Sequence, residues 1–260
     1  MRTVQDSQST NRLPDERAKS TREIPLDHIL TLLAEGEMEL LGLLPGSSNY
    51  TFLAHLSDGT LEALAVYKPQ RGERPLWDFA NGTLCLREVA AFLLSQTLGW
   101  PRIPPTVLRK GPHGLGAVQL YVEADADAHY LTFAQERPVE GQRIALFDFV
   151  VNNADRKSGH CLLDSAGHVW CIDHGITFHA DYKLRTVIWE FAGQPIPAPL
   201  LGDLHALQSR LAQAGPETEV LGRLLSPREM DALRRRLDHL LAAKTFPEPG
   251  PYRAIPWPPV

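Results

Sequence analysis

Two aspartates, Asp155 and Asp173, stand eighteen residues apart in FDFVVNNADRKSGHCLLDSAGHVWCIDHGITFH, the stretch from Phe147 to His179. Asp155 follows a helical run and opens a polar loop with Arg156. Asp173 comes directly after an apolar strand and directly before His174-Gly175. One loop and one hairpin separate the two, a geometry that can place both carboxylates at one end of a small sheet. Phosphoryl transfer needs such a pair. One carboxylate orients an acceptor hydroxyl and takes its proton, and a second holds the divalent ion that bridges the phosphates. A lysine neutralises the phosphates, and amides or hydroxyls cradle them. Asp155 fits the first role and Asp173 the second. Lys68, ending an apolar strand, fits the third, and Gly46-Ser47-Ser48-Asn49 fits the cradle. Glu88, on the helix after Lys68, can pair with that lysine and orient it.

The elements that must position these groups follow from local pattern. Residues 1–22 are polar, with few large apolar groups, and are expected to be disordered. Asp27 can cap a short helix through Ile29, Leu30, Leu32 and Leu33. Residues 50–56 and 61–68 read as strands around a turn with Asp58-Gly59 at its tip. Residues 84–98 carry an apolar stripe of Leu86, Val89, Ala90, Leu93 and Leu94 at helical spacing, and Glu88 borders it. Short strands are expected at 106–109 and 117–122. Residues 141–152 read as a helix, and 161–163 and 169–172 as a hairpin around Asp164-Ser165-Ala166-Gly167. A helix is expected over 200–214. Ser226-Pro227-Arg228-Glu229 combines a capping box with proline at the first helical position, opening a helix to about Ala243. Six prolines in 246–260 exclude a helix there.

Composition bounds the reading. At 260 residues, 43% hydrophobic and 22% charged, the chain suits one two-lobed domain. A net charge of −5 argues against a nucleic-acid partner. Three cysteines, Cys85, Cys161 and Cys171, give no disulfide framework. The first 22 residues lack the apolar core of a secretory signal, and no run approaches a membrane span. A cytoplasmic protein without a transmembrane segment is expected.

The order of parts resembles the catalytic domain of phosphatidylinositol 3- and 4-kinases and their bacterial kinase-like relatives, over roughly residues 36–245. The residues that carry the resemblance are Ser47-Ser48, Lys68, Glu88, Asp155-Arg156 and Ile172-Asp173-His174-Gly175. More narrowly, the chain resembles a family of small actinobacterial proteins of unassigned substrate. The resemblance implies an α+β two-lobed kinase-like fold, with a disordered segment over 1–23, a sheet-rich N-lobe over 24–122, a helix-richer C-lobe over 123–245 and a Pro-rich tail over 246–260. It implies that ATP is bound by Ser47, Ser48, Asn49, Lys68 and Glu88, and by a hinge at Gln119, Tyr121 and Val122. Asp155, Lys68 and Arg156 are then the catalytic candidates. Asp173 and His160 are the candidates for Mg²⁺ or Mn²⁺. His160 stands five residues after Asp155, where the family usually has an asparagine, and imidazole suits Mn²⁺ better than Mg²⁺.

The same residues have plainer readings. Lys68 alone is an edge-strand lysine, Asp155 a turn cap, and Ser47, Ser48 and Asn49 are turn residues. Asp173 resists this reading, because an aspartate buried at a strand end without a partner is costly. Structural zinc is disfavoured, since no Cys-x-x-Cys pair exists. A serine hydrolase is disfavoured for want of a Gly-x-Ser-x-Gly elbow. The expected activity is transfer of the γ-phosphoryl group of ATP to a hydroxyl of a lipid, inositol, small alcohol or protein. An ATP-binding pseudokinase and an AMP-transferring enzyme stay open, as does a partner protein.

Overall fold

The computed structural model describes residues 24–46, 49–251 and 253–260. The segment 1–23 and the serines Ser47 and Ser48 lie outside the described residues. Helix α1 (Leu26–Glu35) leads into β1 (Glu37–Leu43), β2 (Phe52–Ser57) and β3 (Glu62–Pro69). After α2 (Leu84–Leu98) come β4 (Thr106–Gly111) and β5 (Gly114–Leu120). These strands form one antiparallel sheet in the order β1-β2-β3-β5-β4. In β3 the two-residue period buries Ala65 and Tyr67 on one face. Val66 and Lys68 therefore point to the other. The β2–β3 turn is closed by Asp58, whose Oδ1 accepts the N–H groups of Thr60 and Leu61 at 2.8 Å each.

The rest of the chain is mainly helical. It holds α3 (Tyr130–Phe133), α4 (Pro138–Val151), a hairpin of β6 (Cys161–Leu163) and β7 (Val169–Cys171), then α5 (Ala198–Ala212), α6 (Pro216–Leu224) and α7 (Pro227–Ala243). Helix α4 starts three residues before the expected position, because Pro138 suits a first turn whose N–H has no partner anyway. The box at Ser226 and Glu229 forms: the Ser226 N–H donates to Glu229 Oε2 at 2.8 Å. Helices α3 and α6 are not foreseen by pattern. Together these elements make an α+β architecture with a sheet-rich first part and a helical second part.

Helix α2 is the exception to a clean division near residue 122. Eleven of its fifteen residues are buried, so it has no solvent face to spare. The expected stripe accounts for only part of this. Cys85 and Val89 pack with Ala117 of the sheet, whereas Ala91, Phe92 and Leu98 join the large apolar core built from α4, α5 and α7. That core also takes in Phe246. The tail is non-helical as expected, but it lies along the helical part. Ala254 O accepts the Thr186 N–H at 3.0 Å and the Trp189 indole N–H at 3.1 Å. Pro259 O accepts the Ser158 N–H at 2.8 Å. Among the described residues, no helix is long and apolar enough to cross a membrane.

Candidate active site

Three elements deliver the site. The period of β3 turns Lys68 toward the gap between the lobes. Helix α2 then returns alongside and presents Glu88, buried to 3% exposure, to the lysine. Hairpin β6–β7 brings the chain to Asp173, whose φ of 63° lies in the left-handed region that aspartate tolerates better than most residues. This conformation directs the half-exposed carboxylate at the same ammonium. Lys68 Nζ donates to Glu88 Oε1 at 2.5 Å and to Asp173 Oδ1 at 2.9 Å. The other oxygen of each carboxylate is also engaged. Glu88 Oε2 accepts the His174 N–H at 2.9 Å, and Asp173 Oδ2 lies 3.3 Å from His160 Nε2.

The loop bearing Asp155 is fixed from beneath. Helix α4 ends at Asn152, whose φ is 55° and whose N–H returns to the last turn. Asp148, fully buried on α4, accepts the Asn153 amide at 3.0 Å and the Arg156 guanidinium at 3.0–3.1 Å. Asn153 Oδ1 in turn accepts the Asp155 N–H at 3.0 Å. Asp155 is left part-exposed in the cleft, 3.6 Å from Lys157 Nζ.

These groups line one cavity of about 440 Å³ between sheet and helices. Asp155, Asp173, His160 and Lys157 form its lower wall, and Lys68 and Glu88 its upper wall. Val66, Leu162, Ile172 and Ile176 supply an apolar part that can sandwich a flat ring. Gly46, at φ 78°, and Asn49 stand at the β1–β2 edge of the same cavity.

Charge in the cleft is set by these contacts. Burial alone would lower Lys68, but Asp173 and Glu88 overcome it and hold the ammonium above its ordinary value. The Lys68 ammonium keeps Asp173 well below the usual carboxylate range. Burial raises Asp155, with Lys157 pulling the other way. Burial lowers His160 to about 4, against the pull of Asp173, so its imidazole is neutral near pH 7. Burial also lowers His174 well below its ordinary value.

One expected site residue needs correction. Arg156 does not reach the cleft. It is fully buried, bonded to Asp148, to Ile172 O at 3.0 Å and to His174 Nε2 at 2.7 Å. An arginine there positions the loop and the backbone before Asp173, with its guanidinium already engaged. Gln119 lies inside β5, paired to Val66 and Thr106, and its side-chain amide donates to Thr106 Oγ1 at 2.9 Å. Its backbone belongs to the sheet ladder, yet the residue lines the cleft together with Tyr121 and Val122, which lie beyond the strand. The Tyr121 N–H itself donates to Leu64 O at 2.9 Å. Sequence reasoning missed Asp148, Asn153 and His174. The signal for Asp148 was an acid inside the apolar helical run Phe147 to Val151.

Sheet, helices and cleft together define a kinase-like fold. The golgi casein kinase structure matches with a TM-score of 0.52 and 15% identity, over 84% of this chain and 75% of that one. The hydra Fam20 structure with sugar matches with a TM-score of 0.55 and 17% identity, over 84% and 87%. By sequence, Protein Rv2133c of Mycobacterium tuberculosis (strain ATCC 25618 / H37Rv) is 39% identical over 262 residues, covering 87% of this chain and 94% of that protein. The chain belongs to the same family as Protein Rv2133c. Phosphatidylinositol 4-kinase gamma 4 of Oryza sativa subsp. japonica is 29% identical over 150 residues, 48% of this chain but only 26% of that protein. The structural likenesses show a kinase-like fold, and the partial match does not place the chain among phosphatidylinositol kinases. No family model matches.

Proposed function

We propose that the chain is an ATP-dependent phosphotransferase that moves the γ-phosphoryl group to a hydroxyl acceptor. The observation that carries the reading is the convergence of Lys68, Glu88 and Asp173, from three separate elements, on one ammonium at 2.5–2.9 Å. In this reading Lys68, held by Glu88, neutralises the phosphates of ATP. Asp155 accepts the proton of the acceptor hydroxyl. The acceptor oxygen attacks the γ-phosphorus as the bond to the β–γ bridging oxygen breaks, and ADP leaves. Lys157, beside Asp155, offers a further cation to the transferred group. Tyr121 and Val122 face the adenine edge, with Val66 and Ile172 among the ring's apolar neighbours.

A divalent ion fits the donors present. Asp173 is held ionised and His160 neutral, and the two face each other. Among the described residues no cluster of three or more such ligands exists. Two protein donors suit an ion that takes its remaining oxygens from phosphates and water. When bound, such an ion neutralises charge on the phosphoryl oxygens. The imidazole favours Mn²⁺ over Mg²⁺.

Incubation with ATP labelled at the γ- or the α-phosphate, with Mg²⁺ or Mn²⁺, tests the reading against candidate lipid, inositol, small-alcohol and protein acceptors. Transfer from γ alone is the expected result. Transfer from α indicates AMP transfer. Tight ATP binding with no transfer indicates the pseudokinase, the reading that His160 at the asparagine position favours.

A further inference from the structure

A second pocket lies on the far side of hairpin β6–β7 and shares no residue with the cleft. Its volume is about 630 Å³. Three elements build its wall: the end of α2 with the link 99–102, the first half of α4, and the turn before β7. Each contributes cationic or polar side chains. Arg102 comes from the link, Arg137 and Arg143 from the start of α4, and Gln96 from α2.

The three guanidinium groups are free of acids. Among the described residues, none of Arg102, Arg137 and Arg143 forms an ion pair. Arg143 Nε is buried with no hydrogen-bond partner at all. A buried, unpaired charged donor is costly unless something else satisfies it. Two nearby groups do not do so. Glu140 lies on the same wall without pairing, and His168 is taken by Asp164 at 3.0 Å. Arg102 rests over the Trp170 ring, 5.8 Å from its centroid, which leaves its N–H edges available. Arg137 lies against the turn at Gly167, where φ is 82° and an added Cβ would stand 3.2 Å from Nη2. This convergence occurs on a chain whose net charge is −5, so it is no general basic surface.

We infer that this pocket binds a phosphoryl-type oxyanion, held by the forked donors of Arg102, Arg137 and Arg143. Planar guanidinium groups match the oxygens of a phosphate dianion in pairs, and charge-assisted bonds of this kind are the strong ones. The shared chemistry is a phosphate monoester or free phosphate. The site is independent of the nucleotide reading of the cleft.

Calorimetric titration at constant ionic strength tests it, with inorganic phosphate and a short phosphoserine peptide as probes. The native chain is expected to bind at least one of them, and the tighter of the two identifies the source of the phosphoryl group. The double variant Arg137→Gln/Arg143→Gln is expected to bind about tenfold or more weakly, with its affinity for ATP unchanged. Circular dichroism checks that this variant is folded. Should it not fold, Arg102→Gln, at an exposed position, is expected to weaken binding about threefold. No heat with either probe on the native chain overturns the inference. So does phosphate affinity that none of these substitutions changes, since the anion then sits elsewhere.

Discussion

Glu88 accepts the His174 N–H at 2.9 Å through one carboxylate oxygen while the other holds Lys68. A single side chain on α2 therefore ties the sheet lysine to the segment that carries Asp173. Because α2 is packed into the core of the helical part as well, its position is not free to drift. The Lys68–Glu88 contact is expected to persist under all folded conditions.

Removing the ammonium tests this arrangement. Lys68→Met leaves the buried Glu88 carboxylate with only the His174 N–H as partner. The unfolding free energy is expected to fall by roughly 3 kcal/mol in urea denaturation, the scale for breaking a buried pair. Phosphoryl transfer is expected to fall about 100-fold or more, measured as kcat/KM for ATP. Glu88→Gln, which keeps the side-chain volume, should raise KM for ATP more than it destabilises the fold.

Metal affinity should depend on Asp173 and metal preference on His160. Asp173→Asn is expected to weaken Mn²⁺ binding by about tenfold or more in titration calorimetry with ATP present. His160→Asn replaces an imidazole nitrogen by an amide oxygen. Activity with Mg²⁺ relative to Mn²⁺ is then expected to rise. An unchanged ratio would remove His160 from the set of metal-facing residues.

The depressed His160 also predicts a pH dependence. Its ordinary value is 6.5, and burial takes it to about 4 in the folded chain. Between these values the unfolded chain binds the proton and the folded chain does not. The contribution to stability is therefore full above pH 6.5 and is lost as pH falls toward 4. His160→Asn removes one such group. The slope of unfolding free energy against pH in that window should flatten by up to about 1.4 kcal/mol per pH unit. His174 slopes in the same direction in that window and remains, whereas the contribution of Asp173 is lost only below its ordinary value of 3.8.

Arg156 separates a positioning role from phosphate contact. Arg156→Met leaves Asp148 buried beside Asn153 without its cation. A loss of about 3–5 kcal/mol in stability is expected from chemical denaturation. Replacing both partners, as Arg156→Met with Asp148→Leu, should restore much of that loss but not the activity, since the Asp155 loop then lacks its anchor. Full activity in the double variant would show that the loop needs no such support.

How much of this was legible follows from what each residue announces. Asp155, Asp173 and Lys68 declare themselves by type and by order along the chain, because each sits where an apolar element ends or turns, and Glu88 by standing on the helix that follows Lys68. The hairpin strands and the cap of α7 were equally plain. Arg156 misled because an arginine in a polar loop reads as exposed, and nothing local reveals that Asp148, eight residues earlier, reaches it. That Gln119 sits in a strand paired on both sides was likewise hidden, a tertiary fact absent from the strand's own pattern. Helix α6 was hidden by its polar start, Pro216-Glu217-Thr218-Glu219. The double burial of α2 was blurred by Arg87 and Glu88, which sit on a face that solvent does not reach. Arg87 is buried there by Thr177 O at 2.6 Å and an ion pair with Glu229 at 2.5 Å.

The β6–β7 register pairs Cys161 with Cys171 and Leu163 with Val169, and His160 and Asp173 flank its open end. An insertion at the far tip, in residues 164–167, leaves that end undisturbed. A deletion of one residue within either strand turns every following side chain to the opposite face. A change of length at the tip therefore spares the cleft, though it alters the wall of the second pocket, and a comparison of related sequences should find gaps there before any in the six paired positions.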